Sequence, residues 1–220
     1  MKSILLSLVL CSVLFACHNN STKEDTHTTD YSVRDQAGNT EWLAIPNKSV
    51  GKITPDMTEA NIIEVYGKEQ VIHDSLHVGE GFFIQSTVVF PNTPNELRIA
   101  WEEEKTFEKI ARIIVKKENA QWHTPNGLKI GTPLQKVIDL NGVPFNFWGF
   151  DWDYSGSVSS WEGGNFDGQG IGVRLSYGVD IQNLDRHAIE AVVGDQEVSS
   201  AEPILKDMQV RVSEMFFYFP

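Results

Sequence analysis

The sequence predicts an α+β fold of two tandem units, each a short helix packed on an antiparallel β-meander of three to four strands. Three observations predict it. Residues 128–142 read as a short amphipathic helix with start and stop residues, and β-rich runs separated by turns follow it. A shifted copy of this order lies 75 residues earlier, with Gly67 in the place of Gly142.

The second helix is the clearer of the two. Thr132 stands where an N-cap belongs, Pro133 at the first helical position, and Gln135 where a capping-box partner is expected. Leu134, Val137 and Ile138 form an i, i+3, i+4 apolar stripe, and Asn141-Gly142 ends it. Residues 145–153, 157–161, 170–177 and 209–219 then read as strands. Gly163-Gly164-Asn165 and Asp167-Gly168 read as a hairpin loop, and 179–206 as a polar insertion with its own hairpin near Gly194-Asp195. The run from Met215 to Phe219 is too apolar for an edge strand, so it is expected inside a sheet.

In the first unit, order begins near residues 41–45. Asp56 and Glu59 make a D-x-x-E capping pattern, Ile62, Ile63, Val65 and Tyr66 supply the apolar side, and Gly67 stops the helix. Strands follow at 70–72, 82–90, 96–101 and 109–117. In the third of these Leu97, Ile99 and Trp101 alternate with Glu96, Arg98 and Ala100. The domain limits are therefore 41–120 for the first unit and 121–220 for the second.

Residues 1–16 read as a secretory signal peptide: one lysine, then an apolar run of about a dozen residues, too short to span a bilayer. The segment Leu14-Phe15-Ala16-Cys17 resembles the lipobox of bacterial lipoproteins, which implies lipidation at Cys17. An ordinary signal peptide beside an incidental cysteine is the plainer alternative. Residues 17–40 are polar and read as a disordered tether. The expected location is the outer membrane, lipid-anchored, on the periplasmic side rather than the cell surface. Lys23-Glu24-Asp25 weakly resembles a Bacteroidetes-type surface-export signal.

Cys11 would leave with the signal, so the mature chain has no partner for a disulfide and must rely on a packed core. The net charge of −12 argues against nucleic acid and anionic membrane surfaces as partners.

The pattern Leu128-x-x-Gly131, Val137, Gly142-x-Pro144, followed by Trp152-x-Tyr154, resembles that of the SmpA/OmlA type of small outer-membrane lipoproteins. Secreted β-lactamase-inhibitor proteins share their architecture and use two units in tandem. The resemblance implies a non-catalytic envelope assembly or binding protein, with inhibition of a secreted enzyme as the alternative. It covers residues 128–154 well and 53–67 weakly. The group has two helices before each sheet where one is legible here, and Asp56 replaces the motif glycine of the first unit.

Candidate chemistry is sparse. Phe145, Phe147, Trp148, Phe150, Trp152, Tyr154, Trp161 and Phe166 form a dense aromatic cluster. It serves either as core or as a binding face for a protein or glycan; that face would comprise Trp101, Trp148, Trp152, Tyr154 and Trp161. Asp151 and Asp153 flank Trp152 but sit by a turn, where aspartate usually binds its own backbone. His73 and His77 lack a third ligand for zinc, and Asn165-x-Asp167-x-Gln169 lacks the later carboxylate of a calcium loop. No nucleophile elbow or phosphate loop occurs. Neither enzymatic activity nor a metal or cofactor is expected.

Overall fold

The computed structural model describes residues 41–219 of the 220-residue chain. The expected signal peptide, Cys17 and the expected tether lie outside the described residues. The fold is α+β with antiparallel sheets. A two-stranded pair, β1 (Ala44–Ile45) with β2 (Ser49–Val50), leads into helix α1 (Glu59–Tyr66). Strands β3 (Val71–Gly79), β4 (Phe82–Val89), β5 (Leu97–Trp101) and β6 (Ile110–Val115) follow as a meander. Helix α2 (Leu134–Asn141) begins the second half, followed by β7 (Asn146–Trp148), β8 (Val158–Ser160) and β9 (Ile171–Ser176). The chain then forms α3 (Arg186–Glu190), β10 (Glu197–Ser199), α4 (Ile204–Asp207) and β11 (Arg211–Phe217).

The two halves share a sheet. Its order is β3-β4-β5-β6-β11-β9, so β11 lies between the last strand of the meander and β9. The other strands of the second half form a separate three-stranded sheet, β10-β7-β8. The expected second meander is therefore absent, and the halves differ in topology. The physical reason is the apolar β11: Met215 and Phe217 are buried, and pairing with β6 on one side and β9 on the other gives their strand two partners. One hydrophobic core consequently draws Ile62 and Trp101 from the first half together with Val137, Phe145 and Phe217 from the second.

Both helices are capped differently from expectation. Thr58 caps α1 in a capping box with Asn61, while Asp56 accepts a 2.6 Å hydrogen bond from Thr54. Glu59 is thereby free to turn inward. At α2 the cap position is Pro133, which is extended, and the first helical N–H, that of Leu134, donates to Val210 O at 2.9 Å. A tertiary bond to the segment entering β11 thus replaces the side-chain cap. Thr132 instead accepts from Lys129 N, and Gln135 bonds Asp139 along the helix. Gly142, left-handed at φ 86°, ends α2 as its position predicts.

Strand β3 is far longer than residues 70–72. The expected hairpin near Gly194-Asp195 does not form either: β10 pairs with β7, while Gly194 N donates to Phe150 O. Nor is the 163–168 segment a hairpin loop, because β8 and β9 belong to different sheets. There Asn141, fully buried at the end of α2, donates to Val143 O and Trp161 O and accepts from Phe166 N. That side chain pins the turn after β8 to the helix.

The face of the large sheet opposite the main core carries a smaller apolar cluster of Leu76, Ala100, Ile114 and Phe216. Strand register puts Arg98, Arg112, Arg174 and Arg211 on that same face, four of the six arginines in the chain. Arg98 pairs with Asp74 and Glu96, Arg174 with Glu214, and Arg112 lies over the Phe216 ring.

Candidate functional site

The structure divides the five candidate binding-face residues. Trp101 and Trp161 are core, only 3% and 8% exposed. This corrects the expectation for both. Trp101 follows Leu97 and Ile99 on the inward face of β5, and its indole N–H donates to the Thr87 hydroxyl at 2.9 Å. Trp161 packs between Phe145 and Phe166 and donates to Ile171 O. The broad surface combining Trp101 with Trp148 or Trp152 therefore does not form.

Trp148, Trp152 and Tyr154 remain together as a ridge. Trp148 and Trp152 are half-buried and meet edge to face at 5.9 Å; Tyr154 is 45% exposed and meets Trp152 at 5.2 Å. The strand ends at Trp148 rather than running to 153. Gly149 comes so close to Gly194 O that a Cβ would lie 2.6 Å from it, and the chain turns there. The turn sends Phe150 into the core, against Phe147, instead of leaving it beside Trp148.

Backbone bonds fix the ridge in place. Phe150 N donates to Val192 O, Trp148 N to Ser157 O, and Gly156 N to Trp148 O. Trp152 Nε1 donates to Gly149 O at 2.8 Å. Gly156 has φ 70°, and a Cβ there would run into the carbonyl oxygen of Leu175, so glycine is required at this join to β9. Asp151, also at positive φ, accepts from the Tyr177 hydroxyl at 2.9 Å. Burial, followed by that hydrogen bond, pushes the Tyr177 hydroxyl above its ordinary range. Asp151 is thus a brace for the turn, and Asp153 is exposed beside it. This is a rigid aromatic surface with hydrogen-bonding edges, able to stack on or pack against a partner.

A second cluster escaped the sequence reading. The Trp101 indole donates to Thr87, the Thr87 hydroxyl donates to Glu59, and Glu59 lies 2.8 Å from His73 Nε2. His73 stacks on Phe107 at 4.8 Å. The first residue of α1, a carboxylate in the favourable field of the helix N-terminus, is thereby clamped to β3 and β4. Carboxylate–imidazole pairs also occur in acid–base catalysis, but the hydroxyl here is already committed to the carboxylate and to the indole. His77 sits apart, against Phe83. Among the described residues, no group of three or more His, Cys, Asp or Glu is placed to hold a metal ion, and no helix is long and apolar enough to cross a membrane.

Two open grooves flank the second half. One, of about 950 Å³, runs between α2 and α4 and is lined by Leu134, Ile138, Pro144, Leu205 and Val210 among others. The other, of about 860 Å³, is the more polar of the two and lies where β6, β11 and the segment 118–131 meet. Comparison with known proteins returns no match: no family model, curated protein or solved structure is similar to this chain.

Proposed function

We propose that this chain is a non-catalytic binding or assembly protein of the bacterial cell envelope. It is anchored to the outer membrane by lipid at Cys17, faces the periplasm, and engages a protein or glycan through Trp148, Trp152 and Tyr154. The observation that carries the reading is the ridge itself. Nearly every neighbouring aromatic is buried, yet these three stay partly exposed on a turn pinned by backbone bonds. Rigid, partly exposed Trp and Tyr side chains give large contact area at little entropic cost, which is why they dominate binding hot spots.

The lipobox-like segment supports the anchor, and the resemblance to small outer-membrane lipoproteins supports an assembly role. The alternative is an inhibitor of a secreted enzyme, or a carbohydrate-binding accessory protein, using the same ridge. The partly exposed rings of Trp152 and Tyr154, each able to offer a face to a sugar ring, are the feature that favours the carbohydrate form.

The test separates anchor from ridge. Cys17→Ser protein is incubated with purified outer-membrane and peptidoglycan fractions and sedimented, with and without Trp152→Ala and Tyr154→Ala. Binding that survives loss of the lipid and drops about 30-fold with the aromatic changes, equivalent to roughly 2 kcal/mol, supports the reading. Sedimentation indifferent to both aromatic changes refutes the ridge. Unaltered membrane fractionation of Cys17→Ser in cells refutes the anchor.

A further inference from the structure

The polar groove runs against the charge of the chain as a whole. The protein carries a formal charge of −12, yet this groove is lined by Lys116, Lys129 and Arg211 with a single carboxylate, that of Glu118. The cations come from three separate segments. Lys116 follows β6, Lys129 sits on the bridge that pairs its segment with His123, and Arg211 opens β11 opposite Ser176. Elsewhere on the same sheet face the arginines are matched by acids, Arg98 by Asp74 and Glu96, and Arg174 by Glu214. No salt bridge among the described residues reaches Lys116, Lys129 or Arg211; Lys116 acts on Asp74 only at longer range.

His123 adds an independent observation. Its Nδ1 lies 2.9 Å from the Gln121 carbonyl and must donate to it, while Nε2 is buried with no hydrogen-bond partner. With Nδ1 donating, Nε2 of the neutral ring is an acceptor whose fitting partner is a hydroxyl, and leaving it buried without one carries a desolvation cost. An anion would supply the partner that the three cations lack, and a concave site lined mainly by positive charge concentrates such a ligand.

We infer that this groove is a binding site for an acidic oligosaccharide, a sugar chain bearing carboxylates at intervals. The cations come from three segments, which suits several spaced oxyanions better than one compact phosphate. The remaining polar lining, Asn119, Gln121, Ser176 and Ser213, supplies amides and hydroxyls that match sugar hydroxyls. A volume of about 860 Å³ accommodates a few sugar rings. The site is distinct from the aromatic ridge and does not depend on it.

The experiment is calorimetric titration of the full-length protein in detergent with tetragalacturonate, maltotetraose and tetraglutamate. Tetragalacturonate is expected to bind, several-fold more weakly at 200 mM than at 50 mM salt, with no measurable binding of the neutral maltotetraose. Lys129→Gln and Arg211→Gln, both at exposed positions, should each weaken it about tenfold with an unchanged melting temperature. Lys105→Gln, exposed and outside the groove, should leave it unchanged. Absence of tetragalacturonate binding, or equal weakening by Lys105→Gln, overturns the site. Equally tight binding of tetraglutamate overturns the assignment to a carbohydrate. Because the groove lining includes none of Trp148, Trp152 and Tyr154, the variants that test the two sites differ, and failure of one proposal leaves the other standing.

Discussion

Replacing tryptophans one at a time tests the division of the aromatic residues into core and ridge. A buried tryptophan removes about 150–250 Å² from water, worth roughly 4–6 kcal/mol at about 25 cal/mol per Å². The extended-chain reference makes this an upper bound, and measured Trp→Ala losses run about 3–5 kcal/mol. Trp101→Ala should therefore cost about 4 kcal/mol. The Thr87 hydroxyl keeps Glu59 as acceptor, so little is added for the lost indole bond. Trp161→Ala should cost as much, since it loses ring contacts to Phe145 and Phe166 and leaves Ile171 O without its donor. Tyr154→Ala, with nearly half of the residue already exposed, should cost about 1 kcal/mol, and Trp152→Ala about 2 kcal/mol. For a domain of this size about 2–4 °C is lost per kcal/mol, so Trp101→Ala should melt roughly 8–16 °C below the parent and Tyr154→Ala roughly 2–4 °C below it. Thermal unfolding followed by circular dichroism measures both. If Trp101→Ala melts within about 3 °C of the parent, or Tyr154→Ala falls as far as Trp101→Ala, the division is wrong.

The clamp on α1 makes a second prediction: Glu59→Ala should cost about 2–3 kcal/mol by leaving the buried Thr87 hydroxyl without an acceptor, and less when Thr87 is already Val. Urea unfolding of the two single variants and the double variant gives the coupling; strict additivity would show that Glu59 and Thr87 do not interact. The third concerns pH. The Arg98 guanidinium beside Asp74 holds its carboxyl below the ordinary 3.8, so its contribution is complete above about pH 4 and is lost as pH falls through the lowered value. Asp74→Asn should flatten the melting-temperature profile below about pH 4, and identical acid limbs for parent and variant would contradict this. At the alkaline end, burial raises the Tyr66 hydroxyl above its ordinary 10.0, so stability should decline as pH rises past about 10.

Elements whose signals are local were legible in the sequence. Helix α2 follows from Leu134, Val137 and the glycine stop, and β5 from strict alternation over five residues. The same alternation placed Trp101 beside Leu97 and Ile99, which was reason enough to assign it to the core. Strand β3 was harder to read because His73 and Ser75 stand on its core-facing side. Glu59 and Phe107, contacts of His73, come from segments 14 and 34 residues away in sequence, so no periodicity near β3 reveals what satisfies it. The caps failed for a related reason. Leu134 N has a backbone partner from residue 210, and a tertiary bond of that kind removes the need that a capping residue meets.

The tandem reading was misled by a real likeness between the two helices, both short and both ended by glycine at equivalent places. Helix likeness does not constrain sheet topology, because strand partners are chosen by burial across long sequence separations. Here β11 ends in the apolar run Met215-Phe216-Phe217, all three buried, and that burial requires two neighbours. β6 offers one free edge from the first half and β9 the other, and their insertion of β11 makes a single sheet. The consequence reaches the function. Joining the sheets brings Lys116 after β6 and Arg211 on β11, residues 95 positions apart, into the lining of one groove at the seam. A chain with two independent meanders would have left those cations on separate surfaces, each free to find its own carboxylate. The groove therefore arises from the same event that defeats the repeat, the capture of the C-terminal strand by the first-half sheet.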